Sequence, residues 1–401
     1  MQVTTQNMTV PKLRFKEFEA GWIKNRLSKI SDVNPKNTPL KSTFIYIDLE
    51  SVQDGRLIKE EQICKNEAPS RAQRTLIKKD VIYQTVRPYQ KNNYFFNLEG
   101  NYVASTGYAQ IRTKQNSQFI YQLLHTDNFV NKVLVRCTGT SYPSINSSDL
   151  KDIYIHHPTL PEQEKIASFL SSVDERIQKL ERKKSLLEEY KKGVMQKIFS
   201  QELRFKDDNG NNYPNWEEKK LGELCDLKNG YAFKSSSYNN KGAFNIVTIK
   251  NVQDGKMVAD FNKICTLPTN IENYQILELD DILISMTGNV GRVCKVIFNK
   301  CLLNQRVGKI VPKDVHKEYL YFVLNNKKFI QTMENTGQGA AQMNIGKKDI
   351  LAYKGIHPSE VEEQQKIASF LSGIDKKIEL VETQIQQSKT FKKGLLQQMF
   401  V

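Results

Sequence analysis

The chain has 401 residues, enough for two domains of ordinary size that each bury a hydrophobic core. Its 59 Lys and Arg outnumber its 44 Asp and Glu, and the net charge of +15 favours a polyanionic partner such as nucleic acid. No stretch approaches the roughly 18 apolar residues of a membrane-spanning helix, and the start lacks the apolar segment of a secretory signal, so we expect a cytoplasmic protein without membrane contact.

Residues 1–160 are predicted to form a first globular domain. The runs TFIYIDL and DVIYQTV are rich in β-branched and aromatic residues and are bounded by Gly, Asn and Asp, a pattern typical of strands. We therefore expect an α+β domain with a curved mixed sheet and long irregular loops. The cysteines of the chain show no CxxC spacing and no His partner at zinc-ligand distance, which predicts reduced thiols and no metal site.

Residues 161–200 are predicted to form a long helix that begins near Pro161. Apolar residues recur at spacings of three and four, which gives a narrow apolar seam typical of a helix that pairs with another helix. The predicted seam of this helix contains Ile166, Phe169, Val173, Ile177, Leu180, Leu187 and Val194.

Residues 201–360 repeat the first domain, and residues 361–401 repeat the helix. LRFK at Leu13 recurs at Leu203, VQDG at Val52 recurs at Val252, and QEKIASFLSSVD at Gln163 returns as QQKIASFLSGID 201 positions later. Solenoid and propeller repeats have periods of roughly 20 to 50 residues, so this period indicates duplication of a domain plus a helix. The predicted seam of the second helix contains Phe370, Ile374, Ile378, Val381, Ile385 and Leu395.

Two arrangements of the helices are compatible with these seams. A helix of about 39 residues is roughly 58 Å long, which is longer than a domain of this size needs. Antiparallel pairing as a coiled coil would bury both seams, separate the two domains and relate the halves by an approximate two-fold axis. Alternatively, each helix packs on its own globular domain.

The repeated helices, the divergent globular halves and the segments LLNQR and TGQGAAQMNI together resemble the specificity subunit of type I restriction-modification systems. That resemblance implies two target recognition domains that read the halves of a bipartite, asymmetric sequence in double-stranded DNA. It also implies that the helices set the spacing and recruit two modification (adenine methyltransferase) subunits, with two ATP-dependent restriction subunits in the full complex. S-adenosylmethionine, ATP and Mg²⁺ are then expected on those partners, and no cofactor on this chain.

Base reading needs Arg or Lys for guanine, Asn or Gln for adenine, and small or apolar groups for the thymine methyl, and the candidates lie in the divergent loops. In the first half they are Arg71, Arg74, Arg87, Tyr89, Lys91, Ser141, Tyr142 and Ser144. In the second half they are Tyr231, Phe233, Lys234, Ser235, Thr287, Asn289, Arg292, Arg306, Gln338 and Gln342. Each of them could instead be a solvated or fold-maintaining residue, and Tyr231 and Phe233 could equally belong to the core.

The motifs of catalysis are missing from the sequence. The glycine-bearing segments TGNVG and GQGAA lack the Lys and Ser/Thr pair of a nucleotide-binding loop, and the histidines are scattered. An adenine methyltransferase needs an Asn-Pro-Pro-aromatic tetrapeptide, but Asn34-Pro35 is followed by Lys36. We therefore expect a non-catalytic subunit; a fused restriction-methylation enzyme and a coiled-coil adaptor without a DNA role are the alternatives.

Overall fold

A computed structural model describes residues 9–401 except 235, 237, 239–241, 262 and 338–342. The chain divides into two compact units. The first contains Met1–Lys183 together with Val381–Val401, and the second contains Lys184–Leu380. Each unit therefore combines one globular region with a segment of each long helix.

The strands of the first unit are β1 (Ile23–Arg26), β2 (Ser31–Val33), β3 (Thr43–Ile47), β4 (Val52–Gln53), β5 (Arg56–Leu57), β6 (Glu61–Cys64), β7 (Ala72–Thr75), β8 (Val81–Gln84), β9 (Tyr94–Phe95), β10 (Tyr102–Ser105), β11 (Tyr108–Thr113) and β12 (Tyr154–His157). Its short helices are α1 (Leu27–Ile30), α2 (Ser117–Leu124), α3 (Asp127–Leu134) and α4 (Ser147–Lys151), and the long helix α5 (Leu160–Phe199) begins here. One four-stranded sheet has the order β2-β11-β8-β9 and a second has the order β6-β3-β10-β7. The two-stranded pairs are β1-β12 and β4-β5.

The strands of the second unit are β13 (Glu217–Lys220), β14 (Cys225–Asn229), β15 (Phe244–Val247), β16 (Val252–Gln253), β17 (Lys256–Met257), β18 (Ile264–Cys265), β19 (Ile276–Leu277), β20 (Ile282–Ser285), β21 (Val293–Lys295), β22 (Cys301–Leu303), β23 (Val307–Pro312) and β24 (Lys354–His357). Its helices are α6 (Leu221–Leu224), α7 (Lys317–Leu324), α8 (Lys327–Thr336), α9 (Lys347–Leu351) and the start of α10 (Val361–Gln398). The sheet orders are β14-β23-β20-β21 and β18-β15-β22-β19, with the pairs β13-β24 and β16-β17.

The two globular regions share one topology. In both, the second four-stranded sheet contains one parallel pair, β3 with β10 and β15 with β22, among antiparallel neighbours. The central strands β8 and β20 are buried along their whole length, which is why DVIYQ and DILIS are almost continuously apolar. These mixed sheets and helices confirm the α+β class.

The long helices pair in antiparallel fashion within each unit. In the first unit Lys392 Nζ lies 2.6 Å from Asp174 Oδ1 and Lys389 Nζ lies 2.8 Å from Glu181 Oε1, so rising numbers on one helix meet falling numbers on the other. In the second unit Lys191 Nζ lies 2.6 Å from Asp375 Oδ1. The α5 segment before Lys184 thus pairs with the α10 segment after Leu380, and the remaining segments of the two helices pair in the second unit.

Each helix also packs on a globular region, so helix pairing and packing on a globular region occur together within each unit. Ile166 and Ile177 share one core cluster with Trp22 of the globular region and Leu395 of α10. Ile374 and Val194 share the corresponding cluster of the second unit. A helix with neighbours on two sides needs an apolar face wider than a coiled-coil seam, and Ala167 and Leu170 widen it in α5.

Candidate nucleic-acid interface

Three backbone hydrogen bonds hold the loops of the first unit together where β8 ends. Thr85 N donates to Gly107 O at 3.0 Å, Arg87 N donates to Pro143 O at 2.8 Å, and Ile145 N donates to Thr85 O at 3.1 Å. We name this set of segments, residues 85–87, 106–107 and 142–145, the first loop junction. The junction converts three loops that are distant in sequence into one fixed surface.

The second unit contains the same three hydrogen bonds where β20 ends. Met286 N donates to Arg306 O at 3.0 Å, Gly288 N donates to Met343 O at 2.9 Å, and Ile345 N donates to Met286 O at 2.9 Å. Residues 286–288, 305–306 and 343–345 form this second loop junction. The backbone frame is therefore duplicated, whereas the side chains that it carries differ between the two units.

Arg87 and Tyr142 form the main side-chain contact of the first loop junction. The Arg87 guanidinium carbon lies 4.2 Å from the centre of the Tyr142 ring, and that ring is 63% exposed. Arg87 adopts the left-handed backbone conformation with φ 54°, and its Nε is buried without a hydrogen-bond partner in the described part of the chain. Ser144 lies beside this pair, in a bridge with Val86.

Arg71 and Arg74 lie on the neighbouring loop and strand. Arg71 is exposed, and its carbonyl accepts from Thr106 N at 2.9 Å, which attaches it to the first loop junction. Arg74 stands on β7, where burial lowers the pKa of its guanidinium and its Nε has no partner among the described residues. Arg71 is thus exposed near the junction, whereas the Nε of Arg74 is enclosed.

Other candidates of the first half have different surroundings. Lys91 donates to Asp127 Oδ1 at 2.7 Å and to the His125 carbonyl at 2.9 Å, so its ammonium already ties a loop to α3. Tyr89 is half exposed, and Ser141 is exposed in the turn that the Thr138–Ser144 bridge closes.

In the second unit, Tyr231 and Phe233 pack together with ring centres 4.8 Å apart. Phe233 is buried in a core cluster, whereas Tyr231 donates its hydroxyl to Asn270 Oδ1 at 2.8 Å and Tyr231 O accepts from Gln305 N at 3.0 Å. The Gln305 contact brings Tyr231 to the second loop junction. Lys234 is exposed just beyond Phe233.

The remaining second-half candidates surround the turn that follows β20. Thr287 bridges to Asn344, and Arg306 is exposed on the same junction. Asn289 is exposed, whereas Arg292 is bound to the hairpin that precedes the junction, through Gln253 and through Asp254 Oδ1 at 3.5 Å. Ser235, Gln338 and Gln342 lie outside the described residues.

The predicted seam residues of the helices differ in burial. Ile166, Val173, Ile177, Val194, Ile374, Val381, Ile385 and Leu395 are buried, whereas Phe169, Leu180, Leu187, Phe370 and Ile378 are partly exposed. Phe169 and Phe370 have an additional aromatic partner in LRFK, because Phe15 and Phe205 meet them edge-on at 5.9 and 5.6 Å.

Sequence reasoning missed a buried ion pair at the start of each long helix. Glu162 accepts from both Arg14 nitrogens Nε and Nη2 at 2.8 Å and from Trp22 Nε1 at 3.2 Å. Glu363 makes the matching contacts with Arg204 at 3.1 and 2.8 Å and with Trp216 at 3.1 Å. The sequence contained a clue to this ion pair, since the Arg of LRFK, the Trp and the Glu recur together in both halves.

A family model described as "Type I restriction modification DNA specificity domain" matches residues 19–189 and 213–389. The chain belongs to this family. The two matches fall on the two halves of the repeat, so the chain carries two DNA specificity domains, and the resemblance seen in the sequence is confirmed. No helix in the described ranges is both long and apolar enough to cross a membrane, and no cluster of three potential metal ligands occurs in them.

Relatives of known sequence carry the same family name. The chain is 28% identical over 274 residues to the type I restriction enzyme MjaVIII specificity subunit of Methanocaldococcus jannaschii, a match that covers 64% of each chain. It is 31% identical over 289 residues to the putative MjaX specificity subunit of the same organism, covering 69% of this chain. The matched parts span 64% and 65% of those relatives' own lengths.

Solved structures share the fold of the DNA specificity domains. The S subunit of a type I restriction-modification system from M. genitalium aligns with a TM-score of 0.60 at 17% identity, covering 98% of this chain and 99% of that one. A chain from a structure on complex assembly and conformational transition of the type I R-M system aligns with a TM-score of 0.58 at 23% identity, covering 95% and 97%.

Proposed function

We propose that this chain is the DNA-reading subunit of a type I restriction-modification complex and that it performs no catalysis itself. Its two specificity domains read the two halves of a bipartite, asymmetric target in double-stranded DNA. The observation that carries the proposal is the duplicated loop junction, in which one hydrogen-bonded frame presents different side chains in each unit. Sequence reading requires variable side chains on a fixed frame, because base contacts depend on donors held in position.

The charge of the chain supports this function. A net charge of +15 supplies phosphate contacts, which fix the register of a protein on a duplex without specifying bases. In the described part of the first unit, Arg71, Arg74 and Arg87 form no ion pair with a carboxylate, although the Nε atoms of Arg74 and Arg87 are buried. Guanidinium groups without a carboxylate partner near an exposed loop surface favour binding of a polyanion, because they can form charge-assisted hydrogen bonds to phosphate.

We further propose that the long helices set the distance between the two half-sites and recruit two modification (methyltransferase) subunits. The helix α5 is continuous over 40 residues, a length of about 60 Å. Restriction subunits would join through the same assembly, and S-adenosylmethionine, ATP and Mg²⁺ would be bound by these partners.

The test exchanges reading segments while keeping the contacts that hold the helices. Residues 27–153 lie between the paired strands β1 and β12, so they can be replaced with the corresponding segment of another family member while Arg14, Trp22 and Glu162 stay in place. The variant is expressed with the modification subunit, and methylated adenines are mapped across the host genome. We expect one half of the methylated sequence to change, with the other half and the gap unchanged.

The matched control exchanges residues 221–353, which lie between β13 and β24 of the second unit. This variant should change the other half of the target and leave the first half intact. An unchanged target in both variants would refute the assignment of reading to these segments. Absence of any sequence-specific methylation by the unaltered complex would refute the proposed function itself.

A further inference from the structure

The first loop junction contains an arginine where the second contains a glycine. Arg87 N and Gly288 N make the same hydrogen bond, to Pro143 O and Met343 O, at 2.8 and 2.9 Å. Both residues have positive φ, 54° and 72°. The backbone at this position is therefore the same in the two units, and the side chain is the difference.

A left-handed backbone favours glycine, because a side chain is strained there. The second unit follows this rule with Gly288, and the first does not. Arg87 therefore carries a backbone strain that glycine avoids at the same position, as do other non-glycine residues with positive φ such as Lys79 and Lys91. The side-chain contact of Arg87 is with the exposed Tyr142 ring, and within the described residues Arg87 forms no ion pair and its buried Nε has no hydrogen-bond partner.

The position of the guanidinium suits a planar ligand with two acceptors. The guanidinium carbon lies 4.2 Å from the centre of the Tyr142 ring, and this contact restricts the positions that the group can take. The Tyr142 ring is 63% exposed, so the pair lies at the surface and not in the core. Guanine presents O6 and N7 as neighbouring acceptors in the major groove, which match the fork of an arginine.

We propose that Arg87, held by Tyr142, reads one guanine through O6 and N7 in the half-site of the first unit. Gly288 makes no such contact from the matching position, so this position distinguishes the two half-sites. The inference rests on the proposed function and names the base that one residue of the first loop junction recognises.

The test uses the full chain in complex with its modification subunit. Methylated-adenine mapping first defines the target, and synthetic duplexes then carry 7-deazaguanine, which lacks N7, at one guanine at a time. We expect one guanine in one half-site to be sensitive, with a methylation rate roughly ten- to a hundredfold lower in the unaltered complex. The Arg87→Gly complex should be slow on the normal duplex and insensitive to the modified base at that position.

Arg87→Gln separates base reading from phosphate contact. Because glutamine pairs with adenine, this variant should shift the preference at the same position from guanine towards adenine. A phosphate contact would instead give a uniform loss with an unchanged target and a shallower salt dependence. Arg136→Ala is the control, since it removes an exposed arginine of the same unit outside the loop junction.

Stability measurements guard against an unfolded variant. Glycine relieves the strain at φ 54°, so Arg87→Gly should melt at or above the temperature of the unaltered chain. An unchanged target in both Arg87 variants, or uniform weakening without a change of base preference, would overturn the assignment while leaving the proposed function standing. Loss of sequence-specific methylation in the unaltered complex would overturn both.

Discussion

Replacing Glu162 with alanine tests whether the buried ion pair holds α5 to the first globular region. Its side chain is 2% exposed, and it accepts two hydrogen bonds from Arg14 and one from Trp22. Removal leaves a guanidinium that is 14% exposed and a buried indole N–H without an acceptor. Breaking one side of a buried pair costs about 3–5 kcal/mol, and the partial access of Arg14 to water places our expectation near 3 kcal/mol.

The two tryptophans of the chain provide a reporter for each unit, because each donates to one of these glutamates. In a Trp216→Phe background, fluorescence follows Trp22 alone during urea unfolding. With a slope of about 2 kcal/mol per molar, a loss of about 3 kcal/mol moves the midpoint down by about 1.5 M. Glu363→Ala in a Trp22→Phe background should give a shift of similar size in the second unit.

Glu164→Ala is the matched control, since Glu164 is exposed on the same turn of α5. Exposed positions of this kind change stability by about 0.5 kcal/mol or less. A Glu162→Ala midpoint equal to that of Glu164→Ala would refute the claim that this ion pair anchors the helix. A double variant with Arg14→Ala should lose less than the sum of the two single changes, because the buried guanidinium is then gone as well.

Three further outcomes are expected. Inserting seven residues into each long helix adds about 10 Å to its length. Methylome mapping should then show a gap between the half-sites that is longer by about three base pairs, with both half-sequences retained. Altered half-sequences with an unchanged gap would contradict the proposal that the helices set the spacing. Burial raises the pKa of Cys225 and Cys294 to about 12, whereas Cys64 is exposed. Maleimide labelling of the native chain at pH 8, read by mass spectrometry, should therefore modify Cys64 at least a hundredfold faster than either buried cysteine. Equal labelling rates would contradict the burial of Cys225 and Cys294. Burial lowers the pKa of His357 from 6.5 to about 4. The free energy of unfolding of the second unit should therefore fall by about 3 kcal/mol as the pH drops from about 6.5 to 4. In His357→Gln this pH-dependent loss should be absent.

The sequence predicted the duplication from recurring segments such as LRFK and VQDG, and it predicted the pairing of the helices from periodic apolar residues. It left open whether α5 packs on the globular region or on α10, since one apolar face serves both contacts. The ion pair of Arg14 with Glu162 was not predicted because its members lie 148 residues apart and charged residues normally indicate surface. The recurrence of both residues in the second half was the available signal.

Within the candidate site, the sequence indicated which loops are involved, but not which side chains are buried or already form ion pairs. Lys91 and Arg292 resemble any other basic loop residue in the sequence, yet the structure pairs them with Asp127 and Asp254. Phe233 belongs to the core, whereas Tyr142 is exposed. Whether a basic group has a partner depends on long-range contacts that no local pattern encodes. The reading roles of all these candidates stay predictions.

Comparing the two units separates residues that hold the frame from residues that read. Where both backbone and side chain recur, as with Glu162 and Glu363, the side chain bonds to the fold, and its exchange should cost stability in either unit. Where the backbone recurs but the side chain does not, as with Arg87 and Gly288, the fold tolerates different residues at that position. A duplicated protein that reads two different half-sites needs such positions, because identical side chains on identical frames would select identical bases. The search for further reading residues should therefore begin at the remaining unmatched side chains of the two loop junctions.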